Sequence, residues 1–163
     1  MPLPYNILIV EDNHSEIQLQ LEALKQSGLS EIVDVSIART GPEAVEHIEK
    51  VKNAQVVTPD LILLDISLPG INGKDVLKMI KEDPQTKSFR VIVFSNSADD
   101  RDLNDCLRLK ADCYYQKPDD FRELVTFFES IRGFLKNKSR IAPSNLKAIQ
   151  LKGLPGLSPF SRN

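Results

Sequence analysis

Cysteine is scarce in this chain, long apolar runs are missing, and the last stretch has no acid. The two cysteines, Cys106 and Cys113, match no metal-ligand spacing, so a thiolate metal site is excluded and both read as reduced thiols of a cytosolic protein. No apolar segment approaches the roughly 18 residues that a bilayer-spanning helix needs. The start, Met1-Pro2-Leu3-Pro4-Tyr5, has no basic region and runs straight into an apolar strand, which argues against a secretory signal. Glu11-Asp12-Asn13-His14 stands where a dinucleotide-binding protein would place a Gly-rich turn. No helix-turn-helix or other DNA-reading element is recognisable, so direct DNA binding is not expected.

What is present suits one domain. The 163 residues are 41% hydrophobic and 27% charged, enough for a single core and too few for two. All 23 acidic residues lie in residues 1–135 beside 15 basic ones, while residues 136–163 carry six basic residues and no acid. We read an acidic domain over residues 5–135 and a basic, Pro- and Gly-containing tail over 136–163, expected to be mobile and either solvated or docked on the acidic domain.

Strand and helix signals alternate at short intervals. Apolar runs at Asn6–Val10, Leu61–Leu64, Arg90–Phe94 and Cys113–Gln116, and the alternating Val33, Val35 and Ile37 of Val33–Ala38, predict five strands. Between and after them, apolar residues recur at helical spacing. Ile17, Leu21 and Leu24 precede Gly28; Ala44, Val45, Ile48 and Val51 follow Thr40-Gly41-Pro42; Val76, Leu77 and Ile80 stop before Asp83-Pro84. Leu103 and Leu107 mark a thin-sided fourth helix, and Phe121, Leu124, Phe128, Ile131 and Leu135 a long fifth one. Four unbroken aliphatics in the third run read as a strand covered on both faces. The fold class is therefore α/β, a doubly wound five-stranded parallel sheet of order 2-1-3-4-5 with five helices, flavodoxin-like.

In such a sheet, ligands bind beyond the carboxyl ends of the strands. There this sequence places Glu11 and Asp12, Asp65, Ser95 and Lys117. Like unit charges about 5 Å apart at an effective dielectric near 20 repel by roughly 3 kcal/mol, so three carboxylates need compensation. A hard divalent cation such as Mg²⁺ and the Lys117 ammonium provide it, and the same set suits phosphoryl transfer to Asp65 with Ser95 donating to a phosphoryl oxygen. Each residue also has a plain reading: helix-start acids for Glu11 and Asp12, a cap for Ser95, a solvated charge for Lys117. Their coincidence at four strand ends favours the site. His14 reads as a solvated first-turn residue and His47 as facing solvent.

With Glu11-Asp12 after Ile-Leu-Ile-Val, Asp65 in Asp-Leu-Ile-Leu-Leu-Asp, Leu68-Pro69-Gly70 and Asn72-Gly73 beyond it, Ser95, and Lys117-Pro118, residues 5–135 resemble the CheY-like receiver domain of two-component response regulators. The resemblance implies that Asp65 accepts phosphate from a sensor histidine kinase, that Glu11, Asp12, Asp65 and the Ser67 backbone carbonyl hold Mg²⁺, and that Ser95 and Tyr114 form the switch. It also implies a cis Lys117–Pro118 bond and a signalling phosphoacceptor, not an enzyme with a separate substrate. The connection after helix two, Asp112-Cys113 before Tyr114 and the aromatic-rich last helix resemble more narrowly the stand-alone regulators paired with bacterial phytochromes, which implies a phytochrome-type kinase upstream. An unidentified downstream protein would then be reached by contact.

The rival readings rest on single residues. A haloacid-dehalogenase-type phosphohydrolase wants a second Asp two residues after the nucleophile, where Ser67 stands. A receiver that no longer takes phosphate and serves as an adaptor is the serious alternative, and intact Asp65, Lys117 and acid pair argue against it. Asn96 and Ser97 follow Ser95 where the family often has Ala or Gly, and with Ser67 they line the approach of the water that hydrolyses the acyl phosphate, so the lifetime of the phosphorylated state is expected to depend on Ser67 and Ser97. Phe127 and Phe134 form a second apolar row on the last helix, read either as a broad buried face or as an exposed patch for a homodimer or partner.

Overall fold

The computed structural model describes residues 3–136. The chain alternates strand and helix: β1 (Tyr5–Val10), α1 (His14–Gln26), β2 (Val33–Ala38), α2 (Gly41–Lys52), β3 (Leu61–Leu64), α3 (Gly73–Glu82), β4 (Val91–Ser95), α4 (Asp100–Arg108), β5 (Cys113–Gln116) and α5 (Phe121–Lys136). The strands form one parallel sheet of order β2-β1-β3-β4-β5, as the alternating pattern predicts. A short 3-10 turn at Leu29–Glu31, which the apolar pattern does not signal, links α1 to β2 after Gly28 takes a left-handed conformation. Residues of the expected tail from 137 onward lie outside the described residues.

Strand alternation divides the core in two. Ile7, Ile9, Leu61, Leu63, Ile92 and Phe94 face α1 and α5, while Leu8, Val10, Ile62, Leu64, Val91 and Val93 face α2, α3 and α4. Both faces of the central strands are thereby dry, which explains the unbroken aliphatic runs. Phe127 and Phe134 are buried, each 2% exposed. Phe127 stacks on Phe94 at 4.6 Å and lies 4.6 Å from the Tyr115 ring, so the second apolar row is core and not an open patch.

Local chemistry sets where helices start. Asn13, Thr40, Asn72 and Asp99 each accept a backbone N–H of the following first turn with a side-chain oxygen. The thin side of α4 differs from expectation. Leu103 is buried, but Leu107 is 38% exposed and the smaller Cys106 fills the inward position. His47 is half-buried rather than solvent-facing, and burial lowers its pKa first, with Lys50 adding to the shift. Among the described residues no peptide bond is cis. Lys117–Pro118 is thus trans, against the cis bond implied by resemblance; trans is the intrinsically favoured isomer by about 0.5–1 kcal/mol. No helix of the described residues is long and apolar enough to cross a membrane.

Candidate functional site: a lysine among three carboxylates at the sheet edge

Register brings the site together. Val10 pairs with Leu64, so Glu11 and Asp65 leave neighbouring strands side by side. Leu64 pairs with Val93, and Ser95 with Gln116, which sets Ser95 and then Lys117 slightly farther along the same edge. Helix α3 closes in from below. An added Cβ at Gly73 would lie 2.1 Å from the Asp65 carbonyl oxygen, so only glycine permits this approach of the α3 start to the β3 end.

The centre is Lys117. Its Nζ donates to Asp65 Oδ2 at 2.8 Å and also to Glu11 Oε2 and Glu16 Oε2. Carboxylate oxygens of Glu11, Glu16 and Asp65 lie within 4.8 Å of one another. Glu11 is 1% exposed, Asp65 6% and Lys117 9%. The remaining oxygens are also engaged. Asp65 Oδ1 accepts the Ser67 N–H at 2.8 Å, Glu11 Oε1 accepts the Asn13 N–H at 3.1 Å, and Glu16 Oε1 accepts from Asn96 Nδ2 at 2.7 Å. The Lys117 ammonium also lies 5.9 Å from the Phe94 ring centroid.

Burial and charge oppose each other here. Burial pushes the Glu11 carboxyl up to about 8, and hydrogen bonding and charge from Lys117 only partly counter it. Burial likewise pulls Lys117 down, but the charge of Asp65 and hydrogen bonds to Asp65, Glu11 and Glu16 outweigh it and hold the ammonium above the ordinary lysine value. Burial raises Glu16, yet hydrogen bonds from Lys117 and Asn96 bring it below the usual carboxylate range. Two carboxyl groups and the ammonium are buried, with Glu16 at their rim.

The residues singled out at the strand ends fall into three groups. Glu11, Asp65 and Lys117 meet directly. Ser95 is fully buried, its Oγ accepting the Ser97 N–H at 3.2 Å, and Tyr114 is buried with its hydroxyl donating to the Ser97 carbonyl at 2.8 Å. Asp12 is exposed and stands outside the group of three carboxylates; Ser67 is exposed on its side-chain side while its N–H serves Asp65. His14 is exposed at the start of α1.

Glu16 was not legible as a site residue. Asn13-His14-Ser15-Glu16 has the form of a capping box, in which the third-residue acid reaches back to the cap N–H. Here Asn13 does accept the Glu16 N–H at 3.1 Å, but Glu11 takes the Asn13 N–H, which leaves the Glu16 carboxylate for Lys117. The signal that could have found it is a charge count: one buried lysine beside two acids leaves a donor for a third.

One edge of a doubly wound parallel sheet thus carries an acid pair after β1, an aspartate after β3, a hydroxyl at the end of β4 and a lysine after β5. Residues 7–129 match the family model of the response regulator receiver domain, and the chain belongs to that family. It is 31% identical over 132 residues to response regulator Rcp1 of Synechocystis, covering 80% of this chain and 88% of Rcp1. Among solved structures, the phosphorylated cyanobacterial phytochrome response regulator RcpA superposes with a TM-score of 0.73 at 34% identity, covering 82% of this chain and 95% of RcpA. The Mn²⁺-bound form of Rcp1 superposes with a TM-score of 0.71 at 31% identity, covering 80% of this chain and 94% of that one.

Proposed function

We propose that Asp65 is the phosphoacceptor of this receiver domain. An Asp65 carboxylate oxygen attacks the phosphorus of a phosphohistidine on a sensor kinase, the P–N bond breaks, and its electron pair stays on the imidazole nitrogen. Lys117 neutralises charge on the transferred group, and the Ser95 hydroxyl donates to one of its oxygens. The observation that carries this reading is the 2.8 Å bond from Lys117 Nζ to Asp65 Oδ2 within a largely buried acidic cluster.

Glu11 and Asp65 of this set fit a hard divalent cation, because their carboxyl oxygens lie together where burial makes negative charge costly. We assign Glu11, Asp12, Asp65 and the Ser67 carbonyl as the residues that would hold Mg²⁺. When bound, the cation supplies charge neutralisation at the phosphoryl oxygens. A Mn²⁺-bound form of the related Rcp1 supports a divalent site.

Ser95 and Tyr114 are the switch in this reading, since both are buried at the site edge and both bond to Ser97. The upstream partner is a histidine kinase of the phytochrome type, supported by 34% identity to the phytochrome response regulator RcpA. The message passes to a downstream protein by contact, with no DNA contact of its own.

Incubation of the full chain with acetyl phosphate and Mg²⁺ tests the central claim. Parent protein takes up label and Asp65→Asn does not. Failure of the parent to label, or equal labelling of Asp65→Asn, would establish the adaptor reading instead. A phosphotransfer screen against phytochrome-type kinases tests the partner, and transfer from unrelated kinases alone would overturn it.

A further inference from the structure

Lysine has three N–H donors. Those of Lys117 face three carboxylates in the unphosphorylated chain: Asp65, Glu11 and Glu16. A phosphoryl oxygen arriving on Asp65 reaches this ammonium only when one carboxylate lets go.

The three are held unequally. Asp65 carries the phosphoryl group itself. Glu11 is almost fully buried and tied at its other oxygen to Asn13, so it cannot turn out into water without breaking that bond. Glu16 lies at the rim with its side chain 27% exposed, and water can take it up. Its other oxygen holds Asn96, the residue that follows Ser95 in the connection from β4 to α4. Glu16 is also the carboxylate whose negative charge an incoming phosphoryl group would push outward.

We propose, resting on Asp65 as phosphoacceptor, that Glu16 is a positioning residue: a latch that engages Lys117 and Asn96 together and releases both when Asp65 is phosphorylated. The same event that satisfies the phosphoryl group thereby frees Asn96 from α1 and loosens the β4–α4 connection. Removing a merely supportive contact slows a reaction or leaves it unchanged. Removing a latch speeds it, because Lys117 then begins with a donor to spare.

Labelling of the full chain by acetyl phosphate at saturating Mg²⁺ provides the test. Glu16→Gln is expected to label about three- to tenfold faster than the parent, equivalent to roughly 0.7–1.4 kcal/mol in the barrier. Asn96→Ala moves the rate in the same direction by a smaller factor. Glu22→Gln removes the same charge from an exposed position farther along α1 and labels at the parental rate. Hydrogen exchange supplies a second measurement. Amides of residues 96–99 exchange faster in the parent once beryllofluoride occupies Asp65, and in Glu16→Gln they exchange fast before it is added. Equal or slower labelling of Glu16→Gln, an equal gain in Glu22→Gln, or unchanged exchange at residues 96–99 overturns the latch. A parent that takes no label defeats the phosphoacceptor reading itself, a result distinct from a labelled parent with an indifferent Glu16→Gln.

Discussion

The Tyr114 hydroxyl donates to the Ser97 carbonyl oxygen across 2.8 Å. The bond joins β5 to the start of the β4–α4 connection, and the contacts continue from there. Ser97 Oγ donates to Asp102 Oδ2 at 2.5 Å, and Asp102 receives Lys74 of α3 at 2.6 Å. A buried tyrosine is thus tied through one serine to two helices. Tyr114→Phe keeps the ring and removes the bond. Urea unfolding is expected to show a loss of about 0.5–1.5 kcal/mol, and no loss would mean that the bond is replaced by water.

The Lys74–Asp102 pair makes this region acid-sensitive. Hydrogen bonds from Lys74 and then from Ser97 hold the Asp102 carboxyl below its ordinary 3.8. A carboxyl with a depressed folded-state pKa contributes stability above the unfolded value and loses it as pH falls through the folded one. Parent protein should therefore exceed Asp102→Asn in stability at pH 6, with the gap closing as pH drops below 3.8. Melting curves from pH 6 to pH 3 check it; a gap that widens in acid contradicts the sign.

A buried pair behaves differently from that half-exposed one. Lys81 and Asp112 meet at 2.7 Å with side chains 8% and 10% exposed, and Lys81 also donates to the Phe89 carbonyl at 2.6 Å. Asp112 accepts the Val91 N–H as well, at 2.9 Å. Lys81→Met removes the ammonium from this buried pair, and chemical denaturation should show a loss of about 3–5 kcal/mol. A loss below about 1 kcal/mol would place the pair with surface bridges.

Gly73 offers a test of how closely α3 must approach Asp65. Its Cβ position is filled by the Asp65 carbonyl oxygen at 2.1 Å and Ile66 Cα at 2.4 Å, both backbone atoms that cannot rotate away. Gly73→Ala should cost about 1–3 kcal/mol by overpacking and displace the Asp65 loop. Denaturation and acetyl phosphate labelling read the two effects, and unchanged values in both would show that the helix start is free to shift.

Removal of divalent cation separates fold from chemistry. With excess chelator the parent should stay folded by circular dichroism, since the sheet and both cores are complete without it. Labelling by acetyl phosphate should fall to background and return when Mg²⁺ is restored. Labelling that persists in chelator would remove the cation from the proposed reaction.

The sheet is legible because β1, β3 and β4 announce themselves as unbroken aliphatic runs, β2 as an alternating one and each helix as a spaced one. The meeting of Glu11, Asp65 and Lys117 was legible for a related reason: parallel register sends consecutive strand ends to one edge. Side-chain direction was harder. Glu16 stands in the capping-box position after Asn13, yet Glu11 and not Glu16 holds the cap N–H. On α4 the pair Leu103 and Leu107 suggested one stripe, but the helix turns Cys106 inward and leaves Leu107 out. Residues three and four apart share a face, so spacing alone does not choose between them.

The two thiols have a practical bearing. Cys106 and Cys113 are both buried, unpaired and pushed up to about 12, chiefly by burial. Almost no thiolate exists at neutral pH to react with maleimide or iodoacetamide. The native background is silent to alkylating dyes and spin probes, so a single Leu19→Cys exchange at an exposed site on α1 gives a uniquely tagged molecule with which to watch that helix.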